Sequence, residues 1–352
     1  MEMTKTRLPM SVEEVNAAWV QDALSGHFPG IQVKSIELDN FSHGAATRAR
    51  VTIDASYSGS GAQPPKTVWL KTGFEGHHDF AMPNYLIEND FYQHIRELLP
   101  VRSPECFFAG TQDDPPQATL LLEDLSAKGM TFCVPTRPLT VDQCASGLEQ
   151  LALLHSTDIE NPTLKRLLKP IEGVRYATTE RGTQVERFFK WTRAYAGPVC
   201  LLDADRIRAG FDVYWKMIFG NAQQNLVHGD THVGNSYMAP NGEVSFLDWQ
   251  GYGTGYWMQD VPYFMIGALD LPERRANEKE LFKYYLAKRE ELGTRMPAFD
   301  DVWDDYRRAV YFGFITWIGN EDFWQLPENN MAQYARFCAA MIDHDTFKAM
   351  GV

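Results

Sequence analysis

A surplus of basic residues is the first thing this chain lacks: 33 Lys and Arg are set against 46 Asp and Glu, a formal net charge of −13. Nucleic acids and anionic membrane surfaces are held by basic patches, so neither is an expected partner. No apolar run approaches the roughly 20 residues that span a bilayer, so no membrane insertion is expected. The start Met1-Glu2-Met3-Thr4-Lys5 lacks the apolar stretch of a secretory signal, and a cytoplasmic protein is expected. Cysteine is scarce and scattered: Cys106, Cys133, Cys144, Cys200 and Cys338 form no C-x-x-C pair, which speaks against a zinc knuckle or a disulfide framework. No G-x-x-x-x-G-K-[ST] occurs, which excludes a P-loop enzyme at the level of motif. Internal repeats are also missing.

What is present suits two lobes, since 352 residues suffice for two cores. Ser11-Val12-Glu13-Glu14 has the letters of a capping box, predicting a helix of about four turns that starts at Ser11. Strands are expected over 31–38, 47–55 and 68–71, with the Gly/Ser/Pro-rich 58–65 as a hairpin loop. A helix is expected over 84–99, then strands near 106–110 and 118–123. Beyond residue 125 the pattern becomes mostly helical. The expected division is 1–125, a small sheet with one long helix, and 126–352, a helix-rich remainder.

Residues 226–235 read L-V-H-G-D-T-H-V-G-N, with His228, Asp230 and Asn235 at the spacing of a phosphoryl-transfer loop. A strand-like run over 244–249 then carries Asp248, 18 positions after Asp230. Phosphoryl transfer needs a carboxylate to orient the attacking hydroxyl and accept its proton, and an Asp and an Asn to hold magnesium at the phosphates. Lys71, ending the third strand, is placed to reach the α- and β-phosphates, and Glu88 on the following helix to hold it by ion pairing. Between the first two strands, Gly44, Ala45 and Ala46 are small enough for backbone N–H groups to approach phosphate oxygens. The run Leu120-Leu121-Leu122-Glu123-Asp124-Leu125 closes the sheet region where a two-lobed kinase has its hinge, with Glu123 and Leu125 as main-chain contacts for adenine.

This series resembles the kinase-like small-molecule phosphotransferases, which include aminoglycoside phosphotransferases, choline kinases and ecdysteroid kinase-like proteins. H-G-D-T-H-V-G-N is similar to that family's H-G-D-x-H-x-x-N signature. Leu247-Asp248-Trp249-Gln250 and Gln259-Asp260-Val261-Pro262-Tyr263-Phe264 lean toward the ecdysteroid kinase-like branch. The resemblance implies an α+β, bilobal protein-kinase-like fold, with a small N-terminal sheet lobe and a larger helical C-terminal lobe. It implies ATP and Mg²⁺ as cofactors, Asp230 as catalytic base, Asn235 and Asp248 as metal ligands, and Lys71 backed by Glu88 as the nucleotide clamp. His228 would brace the loop and Asp260 would support it from a buried position.

Other readings use the same letters. His228, Asp230 and His232 alternate, as a zinc-binding triplet on a strand would. Gly251-Tyr252-Gly253-Thr254-Gly255-Tyr256 resembles a dinucleotide fingerprint with its third glycine misplaced, and reads better as a flexible loop. A nucleotide-binding pseudokinase is a further possibility, although every catalytic position holds a competent residue. For the acceptor, the aromatics Trp191, Tyr195, Trp215, Trp257, Tyr263, Phe264, Trp317, Phe323 and Trp324 favour a lipophilic alcohol, sterol-like or hydroxyacyl. The acidic run Asp300-Asp301-Val302-Trp303-Asp304-Asp305 would suit an aminoglycoside or choline-type acceptor if it faced the cleft, but such clusters also begin helices.

Overall fold

The computed structural model describes residues 7–42, 44, 46–76, 78–171, 185–190 and 192–352. It divides into two compact units, Met1–Glu97 with Ser103–Met130, and Leu98–Arg102 with Thr131–Val352.

In the first unit, strands β1 (Ile31–Ser42), β2 (Thr47–Tyr57), β3 (Thr67–Thr72), β4 (Cys106–Asp113) and β5 (Pro116–Glu123) form an antiparallel sheet in the order β1-β2-β3-β5-β4. The 58–66 segment links β2 to β3 as a hairpin, as its Gly/Ser/Pro content predicts. Period-two alternation gives the sheet two buried faces. Ala49, Val51, Ile53, Val68, Leu70 and Leu121 are all buried. Apart from Ala49, they share one core with Trp19, Val20, Ala23 and Leu24 of helix α1 (Ala17–Ser25). The opposite face takes helix α2 (His78–Asp90), whose Ala81, Met82 and Tyr85 pack with Ala46 and Ala118.

Two helix starts differ from the sequence reading. Ser11 makes no capping bond. A short 3-10 turn covers Val12–Glu14, Glu14 Oε2 accepts from Met10 N–H instead, and Asn16 caps α1 by accepting from Trp19 N–H. The long helix starts earlier than residue 84 and carries Pro83 inside it. From Phe91 it continues as a π turn (Phe91–Ile95) and a 3-10 turn (Arg96–Leu98).

The second unit is mostly helical. Its helices are α3 (Val141–His155), α4 (Pro162–Leu167), α5 (Val185–Phe188), α6 (Ala204–Gly220), α7 (Val261–Ala268), α8 (Leu271–Glu291), α9 (Phe299–Gly319), α10 (Pro327–Asp343) and α11 (Thr346–Met350). Every residue of α7 is buried, so it is the central helix around which the others pack. A full capping box does start α3: Gln143 N–H donates to Thr140 Oγ1 and Thr140 N–H to Gln143 Oε1. Two small antiparallel ladders interrupt the helices, β6 (Thr131–Phe132) with β8 (Ser236–Met238) and β9 (Val244–Phe246), and β7 (Asn225–Val227) with β10 (Gly253–Gly255).

The strand β10 corrects the expectation of a flexible loop there. A Cβ at Gly253 would lie 2.6 Å from the Lys169 carbonyl oxygen, so glycine is what lets this strand approach the 169–171 backbone. Thr254 N–H donates to Lys169 O and Ile171 N–H to Thr254 O, which fixes that approach. Among the described residues no helix is long and apolar enough to cross a membrane.

Candidate active site

The first unit brings Lys71 and Glu88 together. Lys71 is opposite Leu120 in the β3–β5 register and so faces α2 rather than α1. Its Nζ lies 2.6 Å from Glu88 Oε2, with both side chains buried. Gly44 and Ala46 are buried between β1 and β2, and the Ala46 methyl belongs to the α2-side core. Ala45 lies outside the described residues.

At the end of β5, Glu123 N–H donates to Glu105 O, and Leu125 O accepts from Met130 N–H. Asp124, between them, was not singled out by the sequence, yet it ties this strand end to the sheet. Arg50 Nε, Trp69 Nε1, Ser126 Oγ and Ala127 N–H all donate to its carboxylate. Burial alone would raise its pKa, but hydrogen bonds from Ser126, Thr67, Ala127 and Trp69 outweigh that and hold it at about 2.

In the second unit, Asp230, Asn235 and Asp248 sit on two loops that leave adjacent ladders. Loop 228–235 runs from β7 to β8, and loop 247–252 from β9 to β10. The strand-like run expected over 244–249 stops at Phe246, because Asp248 has φ of +66° and cannot continue a ladder. Such a left-handed aspartate is mildly strained, and the surrounding bonds must hold it there.

Leu247 supplies them. Its N–H donates to Asn235 O (2.9 Å), and its carbonyl accepts from His228 Nε2–H (3.1 Å). The loops also meet at Gly229, which has φ of +83° and whose Cβ, if present, would fall 2.1 Å from Gly251 O. Asn235 Nδ2–H donates to both the carbonyl (3.0 Å) and Oδ2 (3.1 Å) of Asp230, so the loop's own Asn fixes its half-buried carboxylate.

Asp260 carries this loop from beneath, as expected. One carboxylate oxygen accepts from His228 N–H (2.7 Å) and His155 Nε2–H (3.0 Å), and the other from Gly229 N–H (2.9 Å). Its own carbonyl accepts from Thr231 Oγ1–H (2.8 Å).

The contribution of His155 was invisible in the sequence, because it comes from the end of α3, 105 positions away from Asp260. Its Nδ1 accepts from Tyr285 O–H of α8 at 2.7 Å. Burial lowers the pKa of both His155 and His228 and holds them neutral. Each then has one consistent tautomer, with Nε2–H donating and Nδ1 accepting; for His228 the donor to Nδ1 is Asp230 N–H (3.3 Å). Both nitrogens of His228 therefore face protein partners, so His228, Asp230 and His232 are not a zinc triplet. Among the described residues no group of three or more His, Cys, Asp or Glu is arranged to hold a metal.

Of the aromatics named from sequence, Trp257, Tyr263, Phe264 and Trp317 are buried, Tyr195 and Phe323 are exposed, Trp215 and Trp324 are half-buried, and Trp191 lies outside the described residues. Asp300 and Asp301 occupy the first turn of α9, where the helix dipole favours them, and Asp304 and Asp305 pair with Arg307 and Arg308.

Residues 77–299, well over half of the chain, match the model of the phosphotransferase enzyme family APH, and the chain belongs to that family. No curated protein matches it in sequence. Among solved structures it shares its fold with the Plasmodium vivax ethanolamine kinase (12% identity, 90% of this chain and 83% of that one, TM-score 0.54). The same holds for an APH(2'')-IIIa phosphotransferase in complex with GDP and kanamycin (13%, 94% and 98%, 0.52). A macrolide 2'-phosphotransferase type I is similar to the same degree (14%, 94% and 99%, 0.51). The α+β fold expected from sequence, an N-terminal antiparallel sheet followed by a helical C-terminal part, is that of the kinase-like small-molecule phosphotransferases.

Proposed function

We propose that this phosphotransferase moves the γ-phosphoryl group of ATP, with Mg²⁺, to a hydroxyl of a lipophilic small molecule, sterol-like or hydroxyacyl. In this reading the N-terminal part, to about residue 125, serves nucleotide binding, and residues 126–352 supply the base, the metal ligands and the acceptor site.

The observation that carries the reading is the Asp230 carboxylate. It is held by Asn235, remains partly open to solvent, and sits on a loop bonded to the one that bears Asp248. A fixed, accessible carboxylate is what a general base for an incoming hydroxyl requires.

The donors also suit magnesium. Asn235 turns its Nδ2 toward Asp230, so its amide Oδ1 and the Asp248 carboxylate of the neighbouring loop would supply hard oxygen ligands of the kind Mg²⁺ prefers. When bound there, the ion would neutralise phosphate charge. Lys71, braced by Glu88, would take a phosphate oxygen, and the backbone of Gly44, Ala45 and Ala46 would cover the phosphates. With Glu123 N–H and Leu125 C=O already bonded, adenine would read Glu123 C=O and Leu125 N–H.

An aromatic wall lies beside the loop that bears Asp230, where His232 packs edge-on against Trp317, and Tyr263 packs against Trp317, Phe312 and Phe337; these rings are buried against one another, so the preference for a ring-bearing acceptor rests on the aromatic content of the sequence. The acidic run of α9 is accounted for by the helix start and by its arginine partners, which weakens the case for a polycationic acceptor. The tryptophan-glutamine pair after Asp248 keeps the ecdysteroid kinase-like branch as the preferred relative.

A panel of alcohols scored by ADP release from Mg²⁺-ATP tests this. Transfer to apolar ring alcohols is expected; transfer to kanamycin-type compounds, with none to apolar alcohols, would reverse the assignment of the acceptor.

A further inference from the structure

His232 carries two ring nitrogens that the proposed reaction does not use, and its placement is unusual. It is buried, and nothing in the described structure bonds to its Nδ1. Its ring is wedged between the aromatic wall (Trp317 at 5.2 Å and Tyr263 at 6.3 Å between centroids) and Gly234, where a Cβ would lie 2.9 Å from its Cε1. That wedge fixes the ring with Nε2 4.0 Å from Asp230 Oδ2. Four ångströms is too long for a hydrogen bond between the two groups. It is, however, the separation of two groups that share one oxygen: an atom about 2.8 Å from each would see them at an angle of about 90°, near the tetrahedral geometry of a hydroxyl.

The tautomer follows from the surroundings. A proton on Nδ1 would be a buried donor without a partner, whereas on Nε2 it faces the Asp230 carboxylate. His232 thus presents an N–H, and Asp230 a carboxylate oxygen, to the same point.

We propose that His232 is a second catalytic contact for the acceptor, gripping its reacting hydroxyl together with Asp230. This rests on the reading of Asp230 as the base. The four substituents of the acceptor oxygen are then all accounted for. Its carbon leads away to the rest of the substrate, and its hydrogen points to Asp230. One lone pair accepts from His232 Nε2–H, and the other is left to attack phosphorus. As the new O–P bond forms, the bond from the γ-phosphorus to the bridging oxygen of ADP breaks, its electron pair leaves with ADP, and the hydroxyl proton passes to Asp230. His232 keeps its proton throughout. Its role is to select one rotamer of the hydroxyl, which a carboxylate alone, bonding only through the hydrogen, leaves free to swing.

The test uses the full chain with Mg²⁺-ATP and three acceptors, water, 2-phenylethanol and kanamycin, with ADP release as readout and Mg²⁺-ADP affinity measured separately. His232→Phe keeps the ring against Trp317 and removes the N–H; His232→Gln restores an N–H at similar reach. His232→Met serves as the donor-free variant if the phenylalanine variant does not fold. Expected is a fall in kcat of on the order of tenfold or more for the donor-free variant. Mg²⁺-ADP affinity should stay within about twofold, and the glutamine variant should return most of the lost rate. A donor-free variant with kcat within about twofold of the parent overturns the role of His232 while leaving Asp230 as base. A glutamine variant as slow as the donor-free one makes His232 a packing residue and overturns it equally. A parent protein that releases no ADP with any of the three, although it binds Mg²⁺-ADP, overturns the phosphotransfer reading together with this inference.

Discussion

Replacing Asp260 by Asn keeps size and shape while removing the charge that holds the 228–235 loop. Three donors converge on the carboxylate, His228 N–H at 2.7 Å, Gly229 N–H at 2.9 Å and His155 Nε2–H at 3.0 Å. An amide has one acceptor oxygen, so its NH2 must face either Gly229 N–H or the two donors on the other side. The better choice abandons the Gly229 bond, at about 1.5–3 kcal/mol, and weakens the other two by roughly 1 kcal/mol each as they lose an ionic acceptor. A fully buried carboxylate is itself costly to desolvate, and relief of that term offsets part of the loss. A net destabilisation of about 2–4 kcal/mol remains, or roughly 5–10 °C in Tm for the helical unit. Because the loop also shifts, kcat should fall by about 10²-fold or more. Denaturant unfolding, hydrogen exchange across residues 226–235 and steady-state kinetics read the three effects. An Asp260→Asn protein within about 0.5 kcal/mol of the parent, with loop amides equally protected and kcat unchanged, would refute the idea that this carboxylate holds the loop.

Further expectations rest on other parts of the two units. Lys71→Met should leave Glu88 buried beside the lost cation and cost about 3–5 kcal/mol; adding Glu88→Gln should recover stability but not nucleotide affinity, as thermal shift with and without Mg²⁺-ATP would show. Gly229→Ala forces a left-handed alanine into the Gly251 carbonyl, so loss of soluble, folded protein is expected, and an active, equally stable variant would contradict the packing of the two loops. For pH, the folded state holds His155 and His228 neutral below the ordinary histidine pKa, so the unfolded chain binds more protons in acid. Stability should be full above about pH 6.5 and fall below it by up to about 1.4 kcal/mol per pH unit for each histidine, until each lowered pKa is passed. His155→Phe or His228→Phe, measured between about pH 5 and 7.5, should show a shallower slope.

Much of this site could be read in the letters because its parts are local. The spacing of Asp230 and Asn235 acts over a few residues, and the order of a strand carrying Lys71 and a following helix carrying Glu88 shows in the local patterns of each element. The fold followed from the same periodicities, the strand-rich first third and the helical remainder. What escaped depends on distant chain segments or on backbone torsion. His155 reaches Asp260 from another helix, and no local pattern marks it among nine histidines. Asp124 looks like any acidic residue after a strand until Arg50 and Trp69 are seen to converge on it. Asp248 reads as part of a strand because its neighbours are apolar, and only its left-handed torsion ends the ladder. The glycine-rich 251–256 run reads as a flexible loop once its third glycine fails the dinucleotide fingerprint, whereas the missing Cβ atoms of Gly253 and Gly255 are what allow a buried strand there. Ser11 had the right partner in sequence for a capping box, but the chain makes a 3-10 turn and starts the helix one turn later at Asn16.

The proposed reaction turns on Asp230 accepting the proton of an acceptor hydroxyl during phosphoryl transfer. Its most direct test is Asp230→Asn, assayed for ADP release with Mg²⁺-ATP and the best acceptor of the alcohol panel, alongside nucleotide affinity. A loss of about 10²–10⁴-fold in kcat is expected, with Mg²⁺-ADP affinity little changed. Activity equal to the parent would contradict it.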